Sequence, residues 1–449
     1  MLRFLHILFN IAFMVGRNPC QTTATVRRSA WATMLALAVW PLTAASIPSG
    51  KPEEVGLSTE RLQRIHEMVQ RYIDAHEMSG AVTLVARKGR IARFEAQGMT
   101  DLASQKAMPR DGLFWIASMS KPVTAVAILM LLEEGKVRLN DPVSKFIPEF
   151  RDMKVAVNQE RPPGTGVPAA AAGAVSQFYT IPAAREITIQ DLLTHVSGLV
   201  SGGAVSTAEQ TKIDLKAAEK LADYIPRLAT TSLDFQPGSR WSYSPGAGFE
   251  TLGRIVEIVS GQTFDQFLRQ RIFEPLGMKD TAFHAAPDGL TRVVTVYHRA
   301  DSGLIRADDA ADWYNNVASA FFSGAGGLMS DAEDYAQFAQ MLLNGGELNG
   351  KRLLSPKTVE LMSSVFVPDT TPGLRRGTGF GLGVRIVSDP VAAGLSVGVG
   401  SYGWDGYYGT YFWVDPKEKV VAILMIQTDN FNRQLERDFE NAVMQSIVE

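Results

Sequence analysis

The stretch Ala81-Val82-Thr83-Leu84-Val85-Ala86 is followed by Lys88-Gly89 and then by Ile91-Ala92-Arg93-Phe94-Glu95. Two β-prone runs joined by a tight, glycine-containing turn predict a β-hairpin. A second pair lies near the other end of the chain. Thr410-Tyr411-Phe412-Trp413-Val414 runs into the turn-forming Asp415-Pro416-Lys417-Glu418-Lys419, and a strand is expected over residues 420–427. A further strand is expected over residues 381–387. Between these ends the apolar pattern is mostly helical. Residues 122–134 read as an apolar helix stopped by Gly135, and further helices are expected over 189–194, 252–259, 264–272 and 332–343. Residues 158–184 are rich in Pro, Ala and Gly and are expected to form a loop. Strands at both ends with helices between them predict an α/β (α+β) fold. One antiparallel sheet is built from both chain ends and flanked by helices, with a mainly helical domain inserted. The sheet is assigned to residues of about 47–110 and 375–449, and the helical part to about 111–374.

Composition narrows the function. The chain has 449 residues, 46% hydrophobic and 20% charged, ordinary for a protein that buries a large core. Its 44 basic and 47 acidic residues leave a formal net charge of −3. That argues against a nucleic-acid binder and against a polybasic membrane-surface protein. Cys20 is the single cysteine. A disulfide framework, a cysteine-held metal and a thiol nucleophile in the body of the chain are thereby excluded. The six histidines form no zinc-hydrolase spacing. No cofactor is implied.

Residues 1–46 read differently from the rest. Arg27 and Arg28 precede an apolar run over residues 30–42, and Thr43-Ala44-Ala45-Ser46 supplies small residues at its exit. This order is that of a secretory signal, with cleavage expected near Ser46. The arginine pair resembles a twin-arginine signal, although Val26 and Ala32 fit that pattern poorly. An exported, periplasmic or secreted protein of residues 47–449 is expected, without a stable membrane partner once the signal is removed. The alternative is a membrane anchor formed by the same segment, but its apolar core is short for a span.

The chemistry concentrates at Trp115-Ile116-Ala117-Ser118-Met119-Ser120-Lys121. Ser118-x-x-Lys121 is the one S-x-x-K in the chain, and it opens the apolar helix with Pro122 in its first turn. Positions three apart share a helix face, so the lysine amine reaches the serine hydroxyl. The helix N-terminus brings positive potential and free N–H groups to developing anionic charge. The plain alternative for such a motif is a capping serine beside a solvated lysine.

Further along the chain, Asp191-Leu192-Leu193-Thr194-His195-Val196-Ser197-Gly198-Leu199 is followed by Phe235-Gln236-Pro237-Gly238-Ser239-Arg240-Trp241-Ser242-Tyr243-Ser244. Phe273-Glu274-Pro275-Leu276-Gly277-Met278 and Ser323-Gly324-Ala325-Gly326-Gly327-Leu328 come next. In this order, the segments resemble the serine β-lactamase and penicillin-binding protein superfamily, in its class C-like branch, and most of all the family VIII carboxylesterases. The resemblance runs from about Val55 to the C-terminus and implies a β-lactamase/transpeptidase-like fold. It implies Ser118 as nucleophile, with Lys121 and Tyr243 as base and proton relay. It matches the superfamily's third motif, Lys-Thr-Gly, to Gly403-Trp404-Asp405-Gly406-Tyr407. Trp404, Asp405, Gly406 and Tyr407 would then border the substrate, and the N–H groups of Tyr407 and Ser118 would form an oxyanion hole.

Two departures from the superfamily pattern bear on the substrate. Trp404 replaces the third-motif lysine, and Asp405 beside it is expected to repel an anionic substrate. Tyr243-Ser244-Pro245 places proline where many relatives have an asparagine amide. The expected substrate is a small neutral carboxylic ester, unless Arg240 or Arg385 folds back to supply a cation. β-Lactam hydrolysis, D-amino-acid peptidase, amide hydrolase or acyltransferase activity would use the same site. A non-enzymatic cell-wall-binding or scaffold relative has no need for Ser118, Lys121 and Tyr243 together.

Other motifs carry less. Gly394-Leu395-Ser396-Val397-Gly398 fits the α/β-hydrolase nucleophile pattern, but no histidine follows it in the chain order that fold requires. Gly398-Val399-Gly400-Ser401-Tyr402-Gly403 fits a dinucleotide fingerprint without the surrounding β-α-β unit. His195 reads as a structural, hydrogen-bonding histidine.

Overall fold

The computed structural model describes residues 46–158, 178–203, 206, 208–216, 218–307 and 320–449. The expected signal segment lies outside the described residues, apart from Ser46. Helix α1 is Thr59–Asp74, followed by the sheet strands β1 (Gly80–Arg87), β2 (Arg90–Asp101) and β3 (Lys106–Ala107). The long helices of the middle are α2 (Ser120–Glu133), α3 (Ala247–Ser260) and α4 (Ala332–Leu343). Strands β4 (Thr378–Phe380), β5 (Arg385–Val387), β6 (Tyr402–Asp405), β7 (Tyr411–Asp415) and β8 (Val420–Met425) return to the sheet, and α5 (Gln434–Met444) follows.

The eight strands pair in the order β4-β5-β6-β7-β8-β1-β2-β3, all antiparallel. The two chain ends meet at the centre, where Val82 faces Met425 and Ala86 faces Val421. Both central strands are buried along their length, because helices cover both faces. On one face, Leu62, Ile65 and Val69 of α1 join Leu435, Phe439 and Val443 of α5 over Val85, Trp413 and Leu424. On the other face, α2 and α4 pack over Val82, Leu84, Phe412 and Ile423.

Helix α2 is apolar nearly all round and is buried from Ser120 to Leu131, which makes it the central helix of that layer. It ends where the sequence reading expects, with Gly135 in the left-handed region at φ 69°. Helix α4 matches its expected bounds, with Asp331 as N-cap.

Four expectations are corrected. Of the strand expected over 381–387 only Arg385–Val387 forms, because Gly381-Leu382-Gly383, with Gly383 at φ 82°, separates it from the preceding strand Thr378–Phe380. The expected loop over 158–184 is bordered by a two-stranded ladder, Lys154–Asn158 with Phe178–Pro182, while residues 159–177 lie outside the described residues. The helix expected over 264–272 is α-helical for Phe264–Leu268 and continues as a wider π-turn over Arg269–Phe273. Helices α1 and α5, absent from the expected set, lie before the first hairpin and after the last strand.

Candidate active site

Ser118 sits on a single 3₁₀ turn, Ala117–Met119, directly before α2. Ala117 has φ 43°, a left-handed conformation that a residue with a Cβ adopts at a cost. The turn is held from outside. Ile116 N–H donates to Leu328 O at 3.0 Å, and Leu328 N–H donates to Ser120 Oγ at 3.1 Å. Gly406, just past β6, lies against the Ile116 carbonyl: a Cβ there would come within 2.5 Å of that oxygen. Glycine is therefore required for β6 to approach the turn that carries Ser118.

Three side chains converge. Tyr243 donates its hydroxyl to Ser118 Oγ at 2.6 Å. Lys121 Nζ donates to the same oxygen at 3.1 Å. The lysine is buried and makes two more hydrogen bonds, to Pro245 O at 2.7 Å and Ala325 O at 2.8 Å. Its Nζ also lies 4.9 Å from the centre of the Tyr243 ring. The serine, lysine and tyrosine singled out by the sequence thus form one hydrogen-bonded cluster, although Tyr243 lies 125 residues from Ser118 along the chain.

Tyr243 is fixed by His195. Ser242 N–H donates to the His195 carbonyl at 3.0 Å, and Ser244 N–H donates to His195 Nδ1 at 3.2 Å. The N–H groups of both residues that flank the tyrosine are thereby anchored on one residue, itself held at φ 58°. Burial pushes the imidazole well below its ordinary range, so it is neutral, with Nδ1 as acceptor and the proton on Nε2. The rings of Tyr243, Phe249, Phe380 and Trp404 surround it.

The third-motif residues separate. Trp404 is buried and packs its ring 5.6 Å from Tyr243 and 5.1 Å from Phe380. Asp405 turns to the opposite face of the sheet, as alternation along a strand requires, and pairs with Arg433 at 2.8 Å. Arg385 also faces away, donating to the Tyr411 hydroxyl at 3.0 Å. Arg240 lies over the ring of Phe235. Neither is brought to Ser118. Tyr407 is exposed, and neither its N–H nor that of Ser118 donates to another described residue. A cavity of about 290 Å³ is lined by Trp241, Phe380, Trp404, Asp405, Arg375 and Arg385 among others, and Ser118 is not part of its lining.

The Beta-lactamase family model matches residues 65–444. The chain belongs to the Beta-lactamase family. Within that family it is 35% identical over 373 residues to Protein Rv1367c of Mycobacterium tuberculosis, across 80% of this chain and 88% of that one. It is 29% identical over 411 residues to Esterase EstB of Burkholderia gladioli, across 86% of this chain and 95% of that one. A solved structure, EstCE1, a hydrolase with promiscuous acyltransferase activity, superposes with a TM-score of 0.73 at 25% identity, covering 86% of this chain and 99% of that one. The β-lactamase/transpeptidase-like fold read from the sequence is the fold of this family member.

Several contributors to the site carry no signature in the sequence. The carbonyls of Pro245 and Ala325 hold Lys121, and Glu250 is a buried carboxyl nearby. The Ser323-Gly324-Ala325-Gly326 segment was legible as a family-like motif, but main-chain acceptors have no side-chain signature. The Ser396 motif lies on a loop after a four-residue helix, with Ser396 exposed and no strand–turn–helix around it. Among the described residues no cluster of three or more His, Cys, Asp or Glu is arranged to hold a metal ion. No helix among them is long and apolar enough to cross a membrane.

Proposed function

We propose that this serine hydrolase cleaves small neutral carboxylic esters through an acyl-enzyme on Ser118. The observation that carries the reading is the convergence of Lys121 and Tyr243 on one serine oxygen. As a free amine, Lys121 uses its two N–H groups on the Pro245 and Ala325 carbonyls, which leaves its lone pair toward Ser118. The Ser118 proton passes to that amine, with Tyr243 as partner in the relay, while Oγ attacks the ester carbonyl carbon. The oxyanion is received by the N–H groups of Ser118 and Tyr407. The proton then moves to the departing alcohol, and water repeats the sequence on the acyl-enzyme to release the acid.

A neutral substrate is supported by what surrounds the serine. Trp404 supplies no cation, Arg240 and Arg385 are engaged elsewhere, and Pro245 offers no side-chain donor. The name of Esterase EstB points to the same class. Acyl transfer to an alcohol is the second reading, favoured by the likeness to EstCE1. We further propose that the protein is exported, with residues 1–46 removed, so that it works as the 47–449 unit. Hydrolysis of p-nitrophenyl butyrate beside a chromogenic cephalosporin tests the substrate class. The ester is expected to show the far higher kcat/KM. Equal turnover of the cephalosporin would contradict the reading in favour of a β-lactamase.

A further inference from the structure

Glu250 lies in the first turn of α3, buried to 8% exposure, in the layer that also buries Lys121. Ser323 Oγ donates to its Oε1 at 2.8 Å, and Gly326 N–H donates to that same Oγ at 3.1 Å. Inside this short loop are two more fastenings. Gly324 O accepts from Thr124 Oγ1 of α2 at 2.7 Å, and Ala325 O accepts from Lys121 Nζ at 2.8 Å. Gly324 must be a glycine, since a Cβ would meet Phe249 O at 2.6 Å. On its own side of the chain, Glu250 N–H donates to Gly246 O, one residue past the Pro245 carbonyl that holds the lysine. Glu250 is thus joined by short paths to both carbonyls that grip Lys121.

The charges around it are few. Among the described residues no Lys, Arg or His forms an ion pair with Glu250. Lys121 of α2 is the charged group that acts on it most. Tyr224, on helix Leu221–Leu228, is the other titratable side chain facing it, and the neighbouring Arg227 is taken up by Glu219. On α3 itself, Arg254 and Glu257 pair with each other. A buried carboxyl with one cationic neighbour, and that neighbour the proposed base, is not explained by stability alone.

We infer that Glu250 is a positioning residue that sets the charge of Lys121, holding it as ammonium when the carboxyl is ionised and freeing the amine when the carboxyl is protonated. This rests on the reading of Lys121 as the base. A carboxylate beside a buried ammonium opposes loss of its proton, and a neutral carboxyl does not. Burial pushes the Glu250 carboxyl up to about 7, opposed by the Ser323 hydrogen bond and by Lys121, so its charge changes in the range where an esterase works.

The test is the pH dependence of kcat/KM for p-nitrophenyl butyrate in the full-length protein, Glu250→Gln, Glu250→Asp and Ser323→Ala. Glu250→Gln removes the negative charge, so the acidic limb is expected to move down by about one pH unit, a tenfold rise in rate at a pH on that limb. Ser323→Ala withdraws the hydrogen bond that favours the carboxylate, so it moves the limb the same way by less. Glu250→Asp keeps the charge and keeps the limb within a few tenths of a unit. A merely structural role would lower the rate at every pH and leave the limb in place. That result in Glu250→Gln, or in Ser323→Ala should Glu250→Gln not fold, overturns the inference. Lys121→Ala separates the two levels. If it retains wild-type turnover the lysine-base reading falls, and if it is inactive while the limb stays fixed in the Glu250 variants only the present inference falls.

Discussion

At the scale of single residues, the acceptors around Lys121 decide what it can do. Two backbone carbonyls and one hydroxyl surround its nitrogen. A guanidinium in that space stays protonated and has no lone pair to offer. Lys121→Arg is therefore expected to lose ester hydrolysis nearly as fully as Lys121→Ala, measured as kcat on p-nitrophenyl butyrate. Near-normal turnover in the arginine variant would contradict a lysine base. Tyr243 donates the shorter hydrogen bond to the nucleophile. Tyr243→Phe is expected to lower kcat by about 10²-fold, the lower range for lost acid–base assistance, with circular dichroism unchanged.

At the scale of elements, the site is an agreement between three segments distant in sequence: the turn before α2, the loop gripped by His195, and the end of β6. Gly406 is the contact between the first and the last, and Thr410 Oγ1 donates to the same Ile116 carbonyl at 3.2 Å. Gly406→Ala must push β6 away from the Ser118 turn. A displacement of that order is expected to cost about 10²-fold in kcat/KM with a lowered Tm, read by ester assay and thermal melt. A wild-type rate would show that β6 does not help to place the serine. The elements themselves were unequally legible. The hairpin, β7, β8 and α2 announce themselves because their β-prone or apolar runs end at turn residues. Helices α1 and α5 carry the 3.6-residue period at Leu62-Ile65-Val69 and Leu435-Phe439, but their charged outer faces dilute it. In the site, Ser118, Lys121 and Tyr243 were readable as residue types in a characteristic order. The pairing of Asp405 with Arg433 was not readable, because the two lie 28 residues apart. Glu250 was invisible because its partner Ser323 is 73 residues away.

At the scale of the whole molecule, burial of acids makes stability depend on pH. Asp331 caps α4 by accepting from Asp334 N–H at 2.8 Å, and both carboxyls are buried. Burial, and for Asp331 the neighbouring Asp334, push both carboxyls well above the ordinary aspartate range. In the unfolded chain such groups titrate near 4, about 3.9 for aspartate. The folded protein therefore keeps protons that the unfolded chain releases. The resulting stabilisation is present at acid pH and is lost as pH rises through that window. Asp331→Asn keeps the cap and cannot ionise. The drop in Tm between about pH 5.5 and about pH 9 is expected to be smaller in Asp331→Asn than in the wild type. An equal drop in both proteins would contradict a buried, protonated Asp331.

The proposed chemistry turns on one covalent bond, between Ser118 Oγ and the acyl carbon of the substrate. Mixing the protein with p-nitrophenyl butyrate, quenching in acid during the first turnover and mapping the butyryl group by peptide mass spectrometry reads that bond directly. The expected result is a butyrylated peptide carrying Ser118, absent from Ser118→Ala, whose turnover is also lost, while Ser396→Ala behaves as the wild type. A butyryl group on Ser396 or another residue, with turnover intact in Ser118→Ala, would contradict the account.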